Sequence, residues 1–219
     1  MSELLFNELP RPTFRWLRVN HTVSSLAGED TAVQSIAVEA NKDILSPLPV
    51  GTALLDGNYE GANKEVVHVL VEKAEGYAIN VPPKAKEVVG IRIDANARVA
   101  NRFQFIVGEG AELEVQFYVT GSGDALTNVS YLNEYDVKEA GKVVVKKVNL
   151  LPEHVQHIEH RYTKLEEKAD VEYINIEIGG SENILNYYHD LVGQESRMVH
   201  DIAYLGNKEQ KFDISMVMS

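Results

Sequence analysis

The stretch EHVQHIEH places a histidine at every third position: His154, His157 and His160. Imidazoles are the commonest metal ligands and the usual acid–base groups near neutral pH. On a helix this spacing would gather all three on one broad face. The flanking residues read as a strand instead, and strand alternation sends His154 and His160 to one face and His157 to the other. No single surface then collects them, and no metal site is expected from the triplet.

Carboxylates cluster twice, at Glu109, Glu112 and Glu114 and at Glu166, Glu167 and Asp170. Stacked outward acids could make a cation or carbohydrate surface, with paired acids on either side of a glycosidic bond. Here the acids alternate with lysines beside turns, which reads as a solvated rim. Gly108-Glu109-Gly110 and Gly121-Ser122-Gly123 lack the Lys-Ser/Thr and the strand–helix setting of a phosphate-binding loop, so they read as turns. There is no Gly-x-Ser-x-Gly elbow. The chain has no cysteine, which removes disulfides, thiolate metal ligands and cysteine nucleophiles. No catalytic residue, metal ligand or cofactor-binding residue is assigned, no cofactor is expected, and the chain is read as a non-enzyme.

Composition narrows the setting. The 219 residues carry 33 acidic against 21 basic side chains, a net charge of −12. A nucleic-acid partner would need a clustered positive surface, so none is expected. The N-terminus, MSELLFNELPRPTF, lacks the basic–apolar order of a signal peptide. No apolar run reaches the ~18 residues of a membrane span. These features point to the cytoplasm.

The elements that would position any site divide the chain at about residue 64. Residues 1–64 are mixed and turn-rich: RPTFRWLRVNH is locally basic through Arg11, Arg15 and Arg18, Asp56-Gly57 is a hairpin signal, and Leu26 to Asn41 is the one stretch with some helical character. Residues 65–219 read as β throughout, in runs such as VVHVLV, VVGIRI, RFQFIV, LEVQFYV, KVVVKKV, VEYINIEI and FDISMVM. Turn signals recur about every fourteen residues, and the units alternate between two kinds. One kind aligns Ala111, Gly141, Ala169 and Ser196, spaced by 30, 28 and 27 residues. The other aligns Val129, Ile158, Tyr187 and Ile214, spaced by 29, 29 and 27. Two strands per ~28-residue repeat describe a coil in which each residue lies beside its counterpart one turn later. The expected fold is all-β, a right-handed parallel β-helix with a short irregular N-terminal segment. An antiparallel β-sandwich is the alternative, because sandwiches also show regular turn signals.

The repeat puts Tyr131, His160, His189 and Met216 at one inward offset, so His160 and His189 are expected to be buried neighbours without a metal. His200 or Asp190 would be the nearest third ligand. Of the adjacent Tyr187 and Tyr188, one must face outward. The tail alternates Phe212, Ile214, Met216 and Met218 inward with Asp213, Ser215 and Val217 outward, and stops at Ser219 without a polar cap. Unpaired strand edges invite strand addition, so residues 186–219 are expected to mediate self-association.

Three stretches resemble the SufB/SufD family of iron–sulfur cluster assembly proteins. TFRWLRVNH (residues 13–21) is similar to the family's entry segment. VVVKKVNLLPEHVQHIEHRYTKLEEKADVEYINIEIGG (143–180) is similar to its middle coils, and YYHDLVGQESRMVHDIAYLGNKEQKFDISMVMS (187–219) to the coils before its signature region. The resemblance implies a right-handed β-helix that serves as scaffold and partner subunit of a Suf-type ABC ATPase. Lack of cysteine makes it SufD-like. Family members continue past the position of Ser219, so no active-site residue is carried over. The implied partners are that ATPase and a SufB-like or identical subunit, with a homodimer through the C-terminal coils expected. A polysaccharide-acting β-helical enzyme and a generic β-solenoid interaction module are the alternatives. In the entry segment, Trp16 and Leu17 are expected to pack on the body or on a partner.

Overall fold

The computed structural model describes residues 3–9, 20–25, 36–55 and 61–219. The entry residues Arg11, Arg15, Trp16, Leu17 and Arg18 and the Asp56-Gly57 turn lie outside the described residues. The elements are β1 (Leu4–Phe6), β2 (Thr22–Ser24), β3 (Ile36–Glu39), β4 (Leu45–Leu48), α1 (Lys64–Lys73), β5 (Gly76–Val81), β6 (Lys86–Ala95), β7 (Val99–Val107), β8 (Glu112–Gly121), β9 (Asn128–Val137), β10 (Lys142–Asn149), β11 (Gln156–Leu165), β12 (Asp170–Glu177), β13 (Glu182–Leu191), β14 (Arg197–Tyr204) and β15 (Lys211–Met218).

Alternate strands feed two facing sheets. One runs β3-β6-β8-β10-β12-β14, the other β4-β5-β7-β9-β11-β13-β15, and β1-β2 form a separate antiparallel ribbon. Every pairing among β5–β15 is parallel, with residues meeting partners 26 to 30 positions on. This is the parallel β-solenoid of about 28 residues per coil, not the sandwich. Strands β3 and β4 continue the two sheets antiparallel at its beginning.

The small-residue column stands as read. Lys142 N donates to Ala111 O, Asp170 N to Gly141 O, and Arg197 N to Ala169 O, at 2.8, 2.9 and 2.8 Å. Just before that column, Lys84, Gly110, Ala140, Lys168 and Glu195 all have φ between 54° and 64°. A left-handed residue at each turn lets a four- or five-residue corner fold back. These corners stack by backbone bonds such as Ala140 N to Glu167 O at 2.8 Å.

The second column is corrected. Val129 lies beside His157, not Ile158; Ile158 lies between Ser130 and Ile184; and Tyr187 pairs with Arg161. The step from β11 to β13 is 26 residues because the corner between β12 and β13, residues 178–181, is two shorter than those at 150–155 and 205–210. Gly179 and Gly180 permit this. A Cβ on Gly179 would stand 2.1 Å from Leu151 N, and Gly180 has φ +90°. A one-residue slip of register also inverts which face a side chain occupies.

Two element assignments change as well. VVHVLV lies in α1, not in a strand. Asn63 caps α1, its Oδ1 accepting from Val66 N at 2.9 Å, and Val66 and Leu70 form the buried i, i+4 stripe. Capping and the 3.6-residue period outweigh the β-branched composition. Within Leu26–Asn41, residues Ile36–Glu39 form a strand, because β6 offers them a free edge.

Leu4 and Phe6 of β1 and Val66, Leu70 and Ala74 of the helical region pack on Leu132, Ile158 and Ile184, which point outward from β9, β11 and β13. The outer face of that sheet is therefore buried, as the inner face is. This double burial explains why an apolar pattern placed Ile158 on the wrong side. It also covers Tyr188, the outward member of its pair, which is stacked on Tyr162 at 6.0 Å and only 4% exposed.

Candidate functional site

The interior changes character along the axis. The early coils are filled by Val89, Ile91, Phe103, Phe105, Val115 and Phe117. From β10 onward the same inward positions hold Lys147, Asn149, His157, Glu159, Arg161, Asn175 and Glu177, each at most 1% exposed.

Glu159 is the hub. Its carboxylate accepts from Lys147 Nζ at 2.5 Å, from Arg161 at 2.6 and 3.0 Å, from Asn133 Nδ2 at 3.0 Å, and from the hydroxyls of Tyr187 and Tyr131 at 3.2 and 3.4 Å. Burial alone would push Glu159 up, but Arg161 and Lys147 overcome it and hold the carboxyl well below the usual range. Lys147 also lies 2.6 Å from Glu177 Oε1. Burial wins at Glu177 and raises it, with Lys147 opposing. Two carboxylates thus share one ammonium, one kept ionised and the other pushed toward its neutral form. Arg161 is clamped between the rings of Tyr173 and Tyr187, 4.3 and 4.4 Å from their centroids. His157 bonds Tyr131 Oη at 2.8 Å through Nε2 and approaches Asn183 Oδ1 at 3.1 Å through Nδ1. Burial, then Lys147, lowers it to about 3, so it is neutral.

The other histidines separate. His154 is exposed on the corner before β11. His160 points outward beneath the covering segment, between Leu132 and Asn186 in register. It is fully buried and neutral, its pKa lowered to about 4 by burial. The expected His160–His189 neighbours are therefore not neighbours: Thr163, not His160, lies beside His189. His200 comes to His189 instead, edge to face with ring centroids 5.6 Å apart. Asp190 has the outward parity and takes no part. Among the described residues no group of three or more histidines and carboxylates could hold a metal.

The acidic clusters form the expected charged rim. Glu112 pairs with Lys86 at 2.8 Å, Glu114 with Lys146 at 3.0 Å, Glu166 with Lys138 at 2.9 Å, and Asp170 with Arg197 at 3.3 Å. Hydrogen bonds from Lys86 and from Gln116 lower Glu112 and Glu114 respectively. Sequence reasoning missed the Lys147–Glu159–Arg161–Glu177 network. The signal was present: Lys147 continues the inward alternation Val143, Val145, Lys147, where a solvated residue has no place.

A family model matches most of this solenoid, its late coils included. The model of the SufBD core domain, of the SUF system for FeS cluster assembly, matches residues 91–219, more than half of the chain. The chain belongs to the SufB/SufD core family. The match starts within β6 and so spans all of the polar filling. No curated protein and no solved structure matches the chain. Membership in the SufB/SufD family assigns a role in iron–sulfur cluster assembly. Among the described residues no helix is long and apolar enough to cross a membrane.

Proposed function

We propose that the chain is a non-enzymatic scaffold and partner subunit of a Suf-type assembly complex in the cytoplasm. Its partners would be the Suf-type ABC ATPase and a SufB-like or identical subunit. The observation that carries this reading is the match of residues 91–219 to the SufBD core domain, and the face formed by β14 and β15 agrees with it. Among the described residues no strand pairs beyond either one, and their inward side chains remain partly open, with Tyr204 62% and Met218 58% exposed. A second subunit would add strands to these edges and bury the apolar side chains, the mode of β-augmentation. The non-enzymatic role is supported by the closure of the polar network: Lys147, Glu159, Arg161 and Glu177 are out of reach of any substrate. The lysine-neutralised rim speaks against a polysaccharide-cleaving surface.

The outward positions of β15 are poor places to test pairing. Ser215 is 9% exposed, and its neighbour Asp213 accepts from Asn7 Nδ2 at 2.9 Å and from Thr22 Oγ1. Charges there would unseat the covering segment. Tyr204→Lys, at an exposed inward-facing position, tests the face itself. The parent chain is expected to sediment as a dimer or to co-purify with a SufB-like subunit, and Tyr204→Lys to weaken that association at least tenfold. A parent that stays monomeric and captures no Suf-type subunit or ATPase overturns the reading.

A further inference from the structure

His189 and His200 present four ring nitrogens that are buried and have no hydrogen-bond partner among the described residues. His189 has no exposed surface. Imidazoles hidden from water normally find a donor or acceptor, because an unmade bond leaves the full desolvation cost. Their neighbours, Tyr173 and Tyr187, offer ring faces: His200 sits 5.1 and 4.8 Å from those centroids. Hydrogen bonding among the described residues therefore leaves this pair unsatisfied.

The spacing fits another kind of partner. With a metal–nitrogen bond of about 2.1 Å and a further ~1.1 Å to the ring centre, one ion bound to two imidazoles leaves their centroids about 5–6 Å apart. The observed separation is 5.6 Å. Sulfur is at hand. Apart from Met1, every methionine of the chain, Met198, Met216 and Met218, lies on β14 or β15. Register puts Met218 directly beside His189 and Met216 beside Tyr187, with Met198 two residues before His200 on the same face. Paired strands are about 4.8 Å apart, so a thioether from Met218 can reach an ion held by His189.

We propose that His189, His200 and Met218 form a binding site for a soft monovalent metal ion, Cu(I). Two neutral imidazoles and a thioether are a soft, uncharged donor set, which favours Cu(I) over harder divalent ions. Charge points the same way. The Arg161 guanidinium, buried against Tyr187, faces the pair and would repel a divalent ion more strongly than a monovalent one; no carboxylate joins the donor set to offset it. Met218, more than half exposed, provides the way in. The site lies at the face proposed for subunit pairing but needs no partner, and stands or falls separately from that proposal.

The test is anaerobic titration of the full chain with Cu(I) against bicinchoninate, with Zn(II) and Fe(II) titrated in parallel. One Cu(I) per chain should be withheld from the chelator. His200→Phe, which keeps an aromatic ring between the tyrosines, should weaken binding at least a hundredfold, and Met218→Leu about tenfold. X-ray absorption of the loaded chain should show two nitrogen neighbours and one sulfur. If His200→Phe fails to fold, Met218→Leu and the absorption spectrum decide, since Met218 is too exposed to be essential for folding. Absence of Cu(I) retention, retention unchanged in the folded variants, a sulfur-free coordination sphere, or tighter binding of Zn(II) or Fe(II) would each overturn the proposal.

Discussion

Strands β7 and β11 occupy equivalent places two turns apart in the same sheet. Facing inward, β7 carries Val99, Asn101, Phe103, Phe105 and Val107; β11 carries His157, Glu159, Arg161, Thr163 and Leu165. The backbone is the same and the filling is not. Around β7, Phe105 stacks on Tyr135 at 4.4 Å and Phe103 meets Phe117 edge to face at 5.3 Å, so stability there comes from apolar area and packing. Around β11, four ionisable groups are taken out of water, and their mutual attraction does little more than offset that cost. A solenoid needs only stackable coils, and the early turns fill theirs with apolar residues except at Asn101. The late turns therefore hold polar groups for a reason other than stability.

Acid should divide the two halves most sharply. His157, His160, His189 and His200 all lie on β11, β13 and β14, with folded pKa values lowered to about 3, 4, 3 and 2. In the unfolded chain they take up protons near pH 6.5. The stability they supply is complete above that pH and is lost as pH falls toward the folded values, at about 1.4 kcal/mol per pH unit for each group. Glu177 and Asp213, both raised mainly by burial, act in the opposite sense but are fewer. Several kcal/mol should be gone by pH 5. Hydrogen exchange should show β11–β14 losing protection while β5–β8 keep theirs; a uniform loss would erase the contrast.

Breaking the network should be the next largest effect. Glu159→Leu leaves Lys147 and Arg161 buried without their main counter-charge and should cost about 3–5 kcal/mol in urea unfolding. Replacing the whole set, Lys147→Met, Glu159→Leu, Arg161→Met and Glu177→Leu, should leave stability near that of the parent or above it. Such a variant sharpens the comparison, because it makes the late coils resemble the early ones while testing whether cluster assembly survives. In the dry half, Phe105→Leu should cost only about 1–2 kcal/mol through lost stacking and a small void. It should also leave the pH dependence unchanged.

Much of this architecture can be read from the chain. Ala111, Gly141, Ala169 and Ser196 gave the right register because a tight corner imposes small residues wherever it recurs. The inward alternation of Phe212, Ile214, Met216 and Met218 also holds. The second column failed for two physical reasons. Gly179 and Gly180 take two residues out of one corner, and a covering segment buries the outer face of β9, β11 and β13, so that apolar character no longer marks the inside. With the register went the His160–His189 pair, and with it the chance to see that His200 is the true neighbour. The charged network was invisible for a different reason. Lys147, Glu159, Arg161 and Glu177 come from three strands, and only the closed coil brings them together.

The ribbon of β1 and β2 has a consequence for the order of events. Asn7 bonds Asp213 across 206 residues of chain, and the Ser24 hydroxyl bonds Glu182. During synthesis the coils can stack one on another as they are made, each templated by the last. The ribbon is made before the coils, yet its landing place on β13 and β15 exists only after both of those strands have been laid down. A segment that precedes every coil in the chain comes to rest only once strands far behind it have stacked.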